Sequence, residues 1–430
     1  MDIIMFLIFI GLLLIEVPVA IAIGIAGVFG MWVGNLNMQL AATAVVYTLN
    51  SFTLIAVPFF ILAGNIMSRG SIASKLLKIA QVFLGERQES IAIATLIACG
   101  FFAALSGSAV ATVAALGAIT IPMMISQGYK PGYAGAIAAS GAIVGPIIPP
   151  SIIMVVYGVQ TNTSISDLFI AGVIPGILLI TAFIITFQLT KKNNIKFLPL
   201  NSDVRKYSIK DKLWAIWDGK WALLMPIIVL GGIYSGLTTP TEASVIAVDY
   251  TIIVSLFIER DMKWRDLAES FKSTILTLGG LLILLGTAAT FGYVITLNQI
   301  PENLCSAVLG LTSNPIVILF LVNIVILIAG CFMEAIAAIV IFAPILLPLV
   351  NAAGVSNLAF GIIMCVNLVI GTLTPPFGLN LFVASSVSGV SVQDIIKKAV
   401  PYMVAAVIVL LLITYIPQLT EFLPEYINGF

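Results

Sequence analysis

Histidine is absent from this chain, and charge is scarce. Without imidazole there is no Ser-His or Cys-His nucleophile pair, no His metal ligand and no His proton relay. The four cysteines, Cys99, Cys305, Cys331 and Cys365, are scattered with no C-x-x-C spacing. That argues against disulfide and zinc readings and leaves small apolar packing as their role. Asp, Glu, Lys and Arg make up 9% of the 430 residues, against about 25% in an ordinary soluble domain. Nineteen basic residues balance nineteen acidic ones, so bulk electrostatics points to no nucleic-acid partner.

What fills the chain instead is apolar: 60% of residues are hydrophobic. Apolar segments fall at 2–17, 18–34, 51–68, 91–105, 109–125, 132–159, 167–189, 221–238, 243–258, 273–297, 315–330, 335–350, 358–386 and 399–420. Repeated runs of roughly 20 apolar residues read as a polytopic α-helical membrane protein. Met1 to Val17 carries Asp2 and no basic leader, so it reads as a membrane segment rather than a cleaved signal.

Two proline-broken stretches interrupt this apolar pattern: Gly145-Pro-Ile-Ile-Pro-Pro-Ser151 and Gly371-Thr-Leu-Thr-Pro-Pro-Phe-Gly378. Proline removes an N–H donor and clashes with the carbonyl four residues back. Pro149 and Pro150 are therefore expected to release the carbonyls of Gly145 and Pro146, and Pro375 and Pro376 those of Gly371 and Thr372. In hydrocarbon such groups must be satisfied by protein, water or an ion. Paired interrupted helices are the best sequence pointer to a transporter's binding site.

The two breaks belong to a longer correspondence at an offset of 226 residues. Pro122, Gly128, Gly135, Gly145, Pro149, Pro150 and Pro175 match Pro348, Gly354, Gly361, Gly371, Pro375, Pro376 and Pro401. Glu16 matches Glu242 at the same offset. Glycine and proline are fixed by backbone geometry, so this spacing is what a duplicated fold leaves behind. Basic residues lie in only five places: 69–90, Lys130, 191–220, 259–272 and Lys397-Lys398. Lys and Arg accumulate on cytoplasmic loops. One threading puts all five on one side, if 91–125 and 315–350 dip into the membrane from opposite faces and return. The halves are then inverted, with five crossings and one re-entrant hairpin each and both termini outside the cytoplasm. Residues 69–90 and 259–272 alternate charge with apolar positions, as interfacial helices do. Residues 191–220 form the one long hydrophilic loop, with Trp214, Trp217 and Trp221 spaced for one helical face at the membrane surface.

The hairpins turn at Ser106-Gly-Ser-Ala109, with Thr112 one turn on, and at Gly330-Cys-Phe-Met-Glu334. Half-helices meeting within the membrane aim N-terminal N–H groups at a shared point, which favours anions. Released carbonyls and the hydroxyls of Ser106, Ser108, Ser151, Thr372 and Thr374 offer oxygen in the same region. That all-oxygen set, low in formal charge, suits Na⁺ better than a divalent ion. Ser and Gly also permit close helix packing, which is the plainer role for Ser108 and Thr112. The ionisable groups within spans are Glu16, Glu242, Asp249 and Glu334. Helix capping is the expected role of Glu16 and Glu242, which stand beside Pro18 and Pro240.

Leu105-Ser-Gly-Ser-Ala109, the Gly145–Ser151 break, Gly231-Gly-Ile-Tyr-Ser-Gly236, Thr239-Pro-Thr-Glu-Ala243 and the Gly371–Gly378 break together resemble the large membrane subunit of tripartite ATP-independent periplasmic (TRAP) transporters. The resemblance runs nearly end to end. It implies Na⁺-coupled uptake of a small organic acid across a bacterial inner membrane by an elevator movement. A small membrane subunit and a periplasmic substrate-binding protein would be its partners. Two ion sites are implied, one at Ser106 with the first break and one at the Gly330–Glu334 tip with the second. Thr112 and Glu334 depart from the family pattern, an acidic residue and Asp being usual there. Sialic acids, C4-dicarboxylates and other acids are all compatible cargoes.

The fold class expected is an all-α polytopic membrane protein of two inverted repeats, each with five crossings, one re-entrant hairpin and one broken helix. Its domains are scaffold helices and an arm over 1–88, a first transport part over 89–166, scaffold with loop and second arm over 167–312, a second transport part over 313–398, and a C-terminal helix over 399–430. Na⁺ is assigned to Ser106, Gly145, Pro146, Pro149, Gly330, Met333, Gly371, Thr372 and Thr374, with two or more ions expected. Substrate is assigned to Ser108, Thr112, Pro150, Ser151, Glu334, Pro376 and Asn380. The rivals are a stand-alone proton- or ion-coupled transporter of the same type, an intramembrane hydrolase and a channel. Missing histidine and missing paired intramembrane aspartates oppose the hydrolase; no continuous polar helix stripe supports the channel.

Overall fold

A chain this apolar can span a membrane only by closing its backbone bonds internally, and the computed structural model is accordingly helical. It describes residues 2–85, 88–196 and 207–429. Arg87, Arg205 and Lys206 of the basic stretches, and Met1 of the first apolar stretch, lie outside the described residues. Among the described residues, seven helices are long and apolar enough to cross a membrane, and nine if each of two bent pairs is one span.

The chain opens with α1 (Asp2–Leu14), α2 (Val19–Val33), α3 (Met38–Leu49), α4 (Ala56–Arg69) and α5 (Ile72–Leu84). The first hairpin follows as α6 (Ser90–Ser106), α7 (Ala109–Thr112) and α8 (Ala118–Ser126), with a π-helical turn at Val113–Gly117 between the last two. The first broken helix is α9 (Pro131–Ala142) and α10 (Ile152–Thr161), and α11 (Ile165–Thr190) completes this half. Next come α12 (Ile209–Asp218), α13 (Lys220–Tyr234), α14 (Pro240–Ile253), α15 (Trp264–Leu297) and α16 (Ile300–Leu311). The second hairpin is α17 (Pro315–Phe332) and α18 (Ala335–Ala352), the second broken helix α19 (Asn357–Gly371) and α20 (Leu379–Ser388), and α21 (Val392–Tyr415) and α22 (Gln418–Asn428) close the chain.

Residues 226 apart share backbone geometry. Gly128 and Gly354 take φ of 89° and 84°, and the following N–H groups of Tyr129 and Val355 return to the Met124 and Val350 carbonyls at 3.1 and 3.2 Å. The Pro149–Pro150 and Pro375–Pro376 bonds are both cis. Pro122 and Pro348 lie inside α8 and α18, and Pro175 and Pro401 inside α11 and α21.

Packing sorts the helices into two groups. Helices α1 to α4 pack with α14 and α15, tightest where α2 meets α15. There Gly24, Gly27 and Gly30 admit Thr287, Phe291 and Val294, the small-residue route to close helix approach in membranes. The hairpins and broken helices pack with one another and with α11, α21 and α22. Helix α11, grouped with the scaffold by its place in the sequence, thus lies against α6, α10, α19 and α21. Contact between the groups runs through α4 and α15 against α6, α10 and α18.

Several expectations change. Residues 259–272 are not an interfacial helix: from Trp264 they are the start of the 34-residue α15, about 50 Å long at 1.5 Å per residue. The short helix that answers α5 is α16, which packs on α18 as α5 packs on α6. It carries one charge, Glu302, so a search for alternating charge passes over it. The 191–220 loop contains α12, started by a Ser208–Asp211 capping box. A 61° bend before α13 takes Trp221 off the helix bearing Trp214 and Trp217. Another helix, α3, joins α4 through a 56° bend. Glu242 caps α14, accepting from the Thr239 N–H at 2.8 Å. Glu16 does not cap α2; it sits in the preceding turn with φ of 64°, so these two are not structural mates.

The basic stretches meet acidic partners across the sequence. Lys75 pairs with Glu259, Arg69 with Glu269 at 2.9 Å, Lys78 with Asp218 at 3.1 Å and Lys191 with Glu89 at 2.9 Å. Lys78 also lies 4.5 Å from the Trp214 ring, holding α12 on α5.

The tightest seam of the hairpin group is testable. A Cβ at Gly145 would run into Ala103 of α6, so Gly145→Val is expected to cost about 1–3 kcal/mol or more by overpacking and to lower the melting temperature in detergent. Gly279, exposed on α15 with open space beside it, is the control: Gly279→Ala gains up to about 1 kcal/mol of helix propensity. Equal melting temperatures for the two variants would contradict this packing.

Candidate functional site

The first tip is built by its own hydroxyls. Gly107, at φ of 64°, ends α6, and Ser108 caps α7 by accepting from the Ala111 N–H at 3.3 Å. The buried Ser106 hydroxyl stands 3.3 Å from the Thr112 hydroxyl and 3.3 Å from the Ser108 carbonyl. Thr112 in turn donates to the Ser108 carbonyl at 2.9 Å. The π-helical turn at Val113–Gly117 follows directly, a feature frequent at functional sites. At the second tip α17 ends at Phe332 and α18 begins at Ala335, with Met333 and Glu334 extended between them. The Glu334 side chain makes no hydrogen bond or ion pair among the described residues and is exposed.

Both breaks re-engage carbonyls that proline was expected to leave free. Pro146 accepts from the Ser151 hydroxyl. Gly371 accepts from the Thr374 N–H at 2.9 Å, and Thr372 from the Asn380 N–H at 3.1 Å. The reason is local: each break is a compact set of turns whose next donors reach back. A carbonyl has two lone pairs, so each keeps one for another ligand. Ser151 is spent as the cap of α10, accepting from the Met154 N–H at 3.3 Å. Thr374 donates to Ile370 at 2.8 Å and Thr372 to Val369 at 2.7 Å. Asn380 donates to the Thr372 hydroxyl at 3.3 Å, and its buried Oδ1 has no partner among the described residues.

Each tip is pressed against its own break. A Cβ on Gly145 would meet Ala103, and one on Gly371 would meet Gly330; Phe332 and Phe377 rings stand 5.9 Å apart. The two halves meet as well, because α10 packs on α18 and α20 on α9.

One cavity of about 510 Å³ borders both tips and both breaks. From the first hairpin it takes Ser106 to Ala111, from the second Glu334 to Ile336, and from the breaks Pro146, Ile152, Thr372 and Leu379. Its other wall is Ile61, Gly64 and Asn65 of α4 with Thr277, Gly280, Leu281 and Leu284 of α15. Of the expected site residues, Ser106, Ser108, Pro146, Thr372 and Glu334 line it. Thr112, Gly145, Pro149, Pro150, Ser151, Gly330, Met333, Gly371, Thr374, Pro376 and Asn380 do not border it; those with side-chain bonds brace the tips and breaks.

Residues 6–419 match the family described as tripartite ATP-independent periplasmic transporter, DctM component. The chain belongs to that family. A C4-dicarboxylate TRAP transporter large permease protein of Pseudomonas aeruginosa is 41% identical, with 89% of this chain and 88% of that protein covered. An isethionate TRAP transporter permease protein of Oleidesulfovibrio alaskensis is 40% identical over 95% of this chain, which spans only 64% of its length. The crystal structure of the Alcanivorax borkumensis YdaH transporter superposes with a TM-score of 0.62 at 14% identity, covering 91% of this chain and 89% of that one. The DctM-family chain thus shares its fold with a solved transporter and is a multi-pass membrane protein.

Sequence reasoning missed the wall supplied by α4 and α15. Asn65 donates to Thr274 at 2.9 Å across 209 residues. A lone asparagine in an apolar helix was the available signal, but nothing local names its partner. At Gly64 a Cβ would lie 2.8 Å from the Ser106 carbonyl oxygen and 2.9 Å from its Cα. Gly64→Ala is therefore expected to push the first tip off α4, cutting uptake in reconstituted vesicles while membrane insertion stays normal. Full uptake by that variant would show that the tip need not seat on α4.

Proposed function

We propose that this DctM-family chain is the permease subunit for Na⁺-coupled uptake of a small organic acid across a bacterial inner membrane. The observation that carries the reading is the single cavity between the hairpin tips and breaks on one side and α4 with α15 on the other. The two groups of helices suit an elevator: the hairpins and broken helices, with α11 and α21, move as a block past α4 and α15. Short helices α5 and α16 link the block to the scaffold. The 226-residue correspondence and the mutual pairing of the basic stretches support two inverted repeats with both termini periplasmic. A small membrane subunit and a periplasmic binding protein complete the assembly, as the family's tripartite description implies.

Na⁺ is co-transported cargo, and the residues fit it. Second lone pairs on Pro146, Gly371 and Thr372 and the unpartnered Asn380 Oδ1 are neutral oxygens. No group of three or more His, Cys, Asp or Glu residues gathers among the described residues, which suits a weakly held monovalent ion. The acid itself would lie between the first turns at Ala109–Val110 and Ala335–Ile336, whose N–H groups and helix dipoles favour an anion.

The test is uptake into proteoliposomes holding all subunits, with Na⁺ and proton gradients imposed separately. Uptake should follow the Na⁺ gradient and rise more steeply than linearly with Na⁺, since each half supplies an oxygen cluster. Ser106→Ala should weaken that dependence. Uptake driven by a proton gradient alone and indifferent to Na⁺ would overturn the reading.

A further inference from the structure

The cavity wall formed by α4 and α15 carries two polar side chains, Asn65 and Thr277, and their neighbours fix how each can bond. Thr274 donates its only hydroxyl proton to the Ser270 carbonyl at 2.8 Å, so towards Asn65 its oxygen can only accept. Asn65 must therefore present Nδ2, which donates to it at 2.9 Å. The Asn65 Oδ1 is then the end left without a partner among the described residues, and one N–H of Nδ2 is left over as well. Thr277, one turn beyond Thr274, spends its proton on the Ser273 carbonyl at 3.0 Å and keeps its oxygen as an acceptor. A link between α4 and α15 needs only the one N–H that Asn65 gives to Thr274. The spare amide oxygen and N–H, in a residue that borders the cavity, are more than that link requires.

These two residues also stand towards one end of their helices. Asn65 is one turn before Arg69, which pairs with Glu269 at 2.9 Å, and Thr277 is two turns beyond Glu269. Lys75 and Lys78 follow on α5. Basic residues gather at the cytoplasmic ends of spans, so Asn65 and Thr277 lie in the cytoplasmic half of the wall. Next to Asn65, the Ser106 backbone of the first tip is seated against Gly64. When the block that carries the tips moves, Asn65 stays behind with α4. On the transport reading above, we propose that Asn65, aided by Thr277, is a cargo contact of the cytoplasmic side alone. It holds the cargo's polar end, the one away from the tips, while the first tip is seated on Gly64, and it is lost when the block moves outward. An amide both accepts and donates, so the contact takes a hydroxyl, an ammonium or a second acid group. Because it exists in one state only, cargo bound there favours the seated state.

The test reads the two faces separately. Proteoliposomes hold all membrane subunits, and the cognate binding protein is added outside only, so transporters with the periplasmic face outward are the ones read. Labelled isethionate, succinate and N-acetylneuraminate are the probes. Uptake gives the half-saturating concentration of loaded binding protein at the outer face. Exchange against the same unlabelled acid loaded inside gives the half-saturating concentration at the inner face. Asn65→Ala should raise the inner value about fivefold or more, as expected for one lost hydrogen bond, and leave the outer value within about twofold. Asn65→Asp preserves the link between the helices, since the Thr274 hydroxyl can turn and donate to a carboxylate, but it sets a like charge against an acid. It should raise the inner value about tenfold or more. Thr277→Val should give a smaller rise at the same face. Thr274→Val breaks the link from a residue that does not border the cavity, and should leave the inner value close to wild type. A rise in Thr274→Val equal to that in Asn65→Ala would make Asn65 a structural link and overturn the proposal. Equal shifts at both faces, or an unshifted Asn65→Asp, would also overturn it, while wild-type uptake leaves the transport reading intact. No Na⁺-driven uptake of any probe by the wild type would overturn both.

Discussion

The structure depends on the requirement that backbone N–H and C=O groups in apolar surroundings find partners. Most of the chain meets it by uninterrupted helix. At two places it cannot, because Pro149-Pro150 and Pro375-Pro376 forbid the helix to continue, and there the chain turns back on itself. Ser151 donates to Pro146, Thr374 to Gly371 and Asn380 to Thr372. The breaks are thus satisfied enough to be stable and retain spare oxygen lone pairs. An unsatisfied segment would not persist in a membrane.

That constraint explains where glycine is needed. A break has no helix of its own to stiffen it and must lean on a neighbour. Gly145 lies against Ala103, and Gly371 against Gly330, with no room for a side chain at either. The same close approach recurs where Ser106 meets Gly64, which makes the first tip part of the boundary between the two helix groups. Tip, break and scaffold then share one cavity, since each is held within contact distance of the next.

Charge is used in two separate ways. At one set of chain ends, basic residues of one segment pair with acidic residues of another, as Lys75 does with Glu259 and Lys191 with Glu89. These two pairs are half-buried, and they fix α5 and the 191–196 segment. Within the cavity the reverse holds: Glu334 has no partner among the described residues, and it stands at the N-terminus of α18.

Composition and proline spacing determined the class of protein and its central feature. Sixty per cent hydrophobic residues point to membrane-spanning helices, and proline, which lacks the N–H, stops a helix, so both breaks were legible. The 226-residue offset was legible for the same reason, since glycine and proline record backbone geometry directly. Tertiary structure alone decided the rest. Helix α16 has too little charge to stand out, and α12 depended on a capping box within a hydrophilic stretch. Ser106 and Thr372 line the cavity while Ser151 and Thr374 do not, a difference of placement that residue type does not encode. The wall of Asn65, Thr277 and Gly280 comes from helices about 200 residues apart. Their partnership arises only when α4 and α15 pack, because contact between distant segments is set by the folded whole and not by any local pattern.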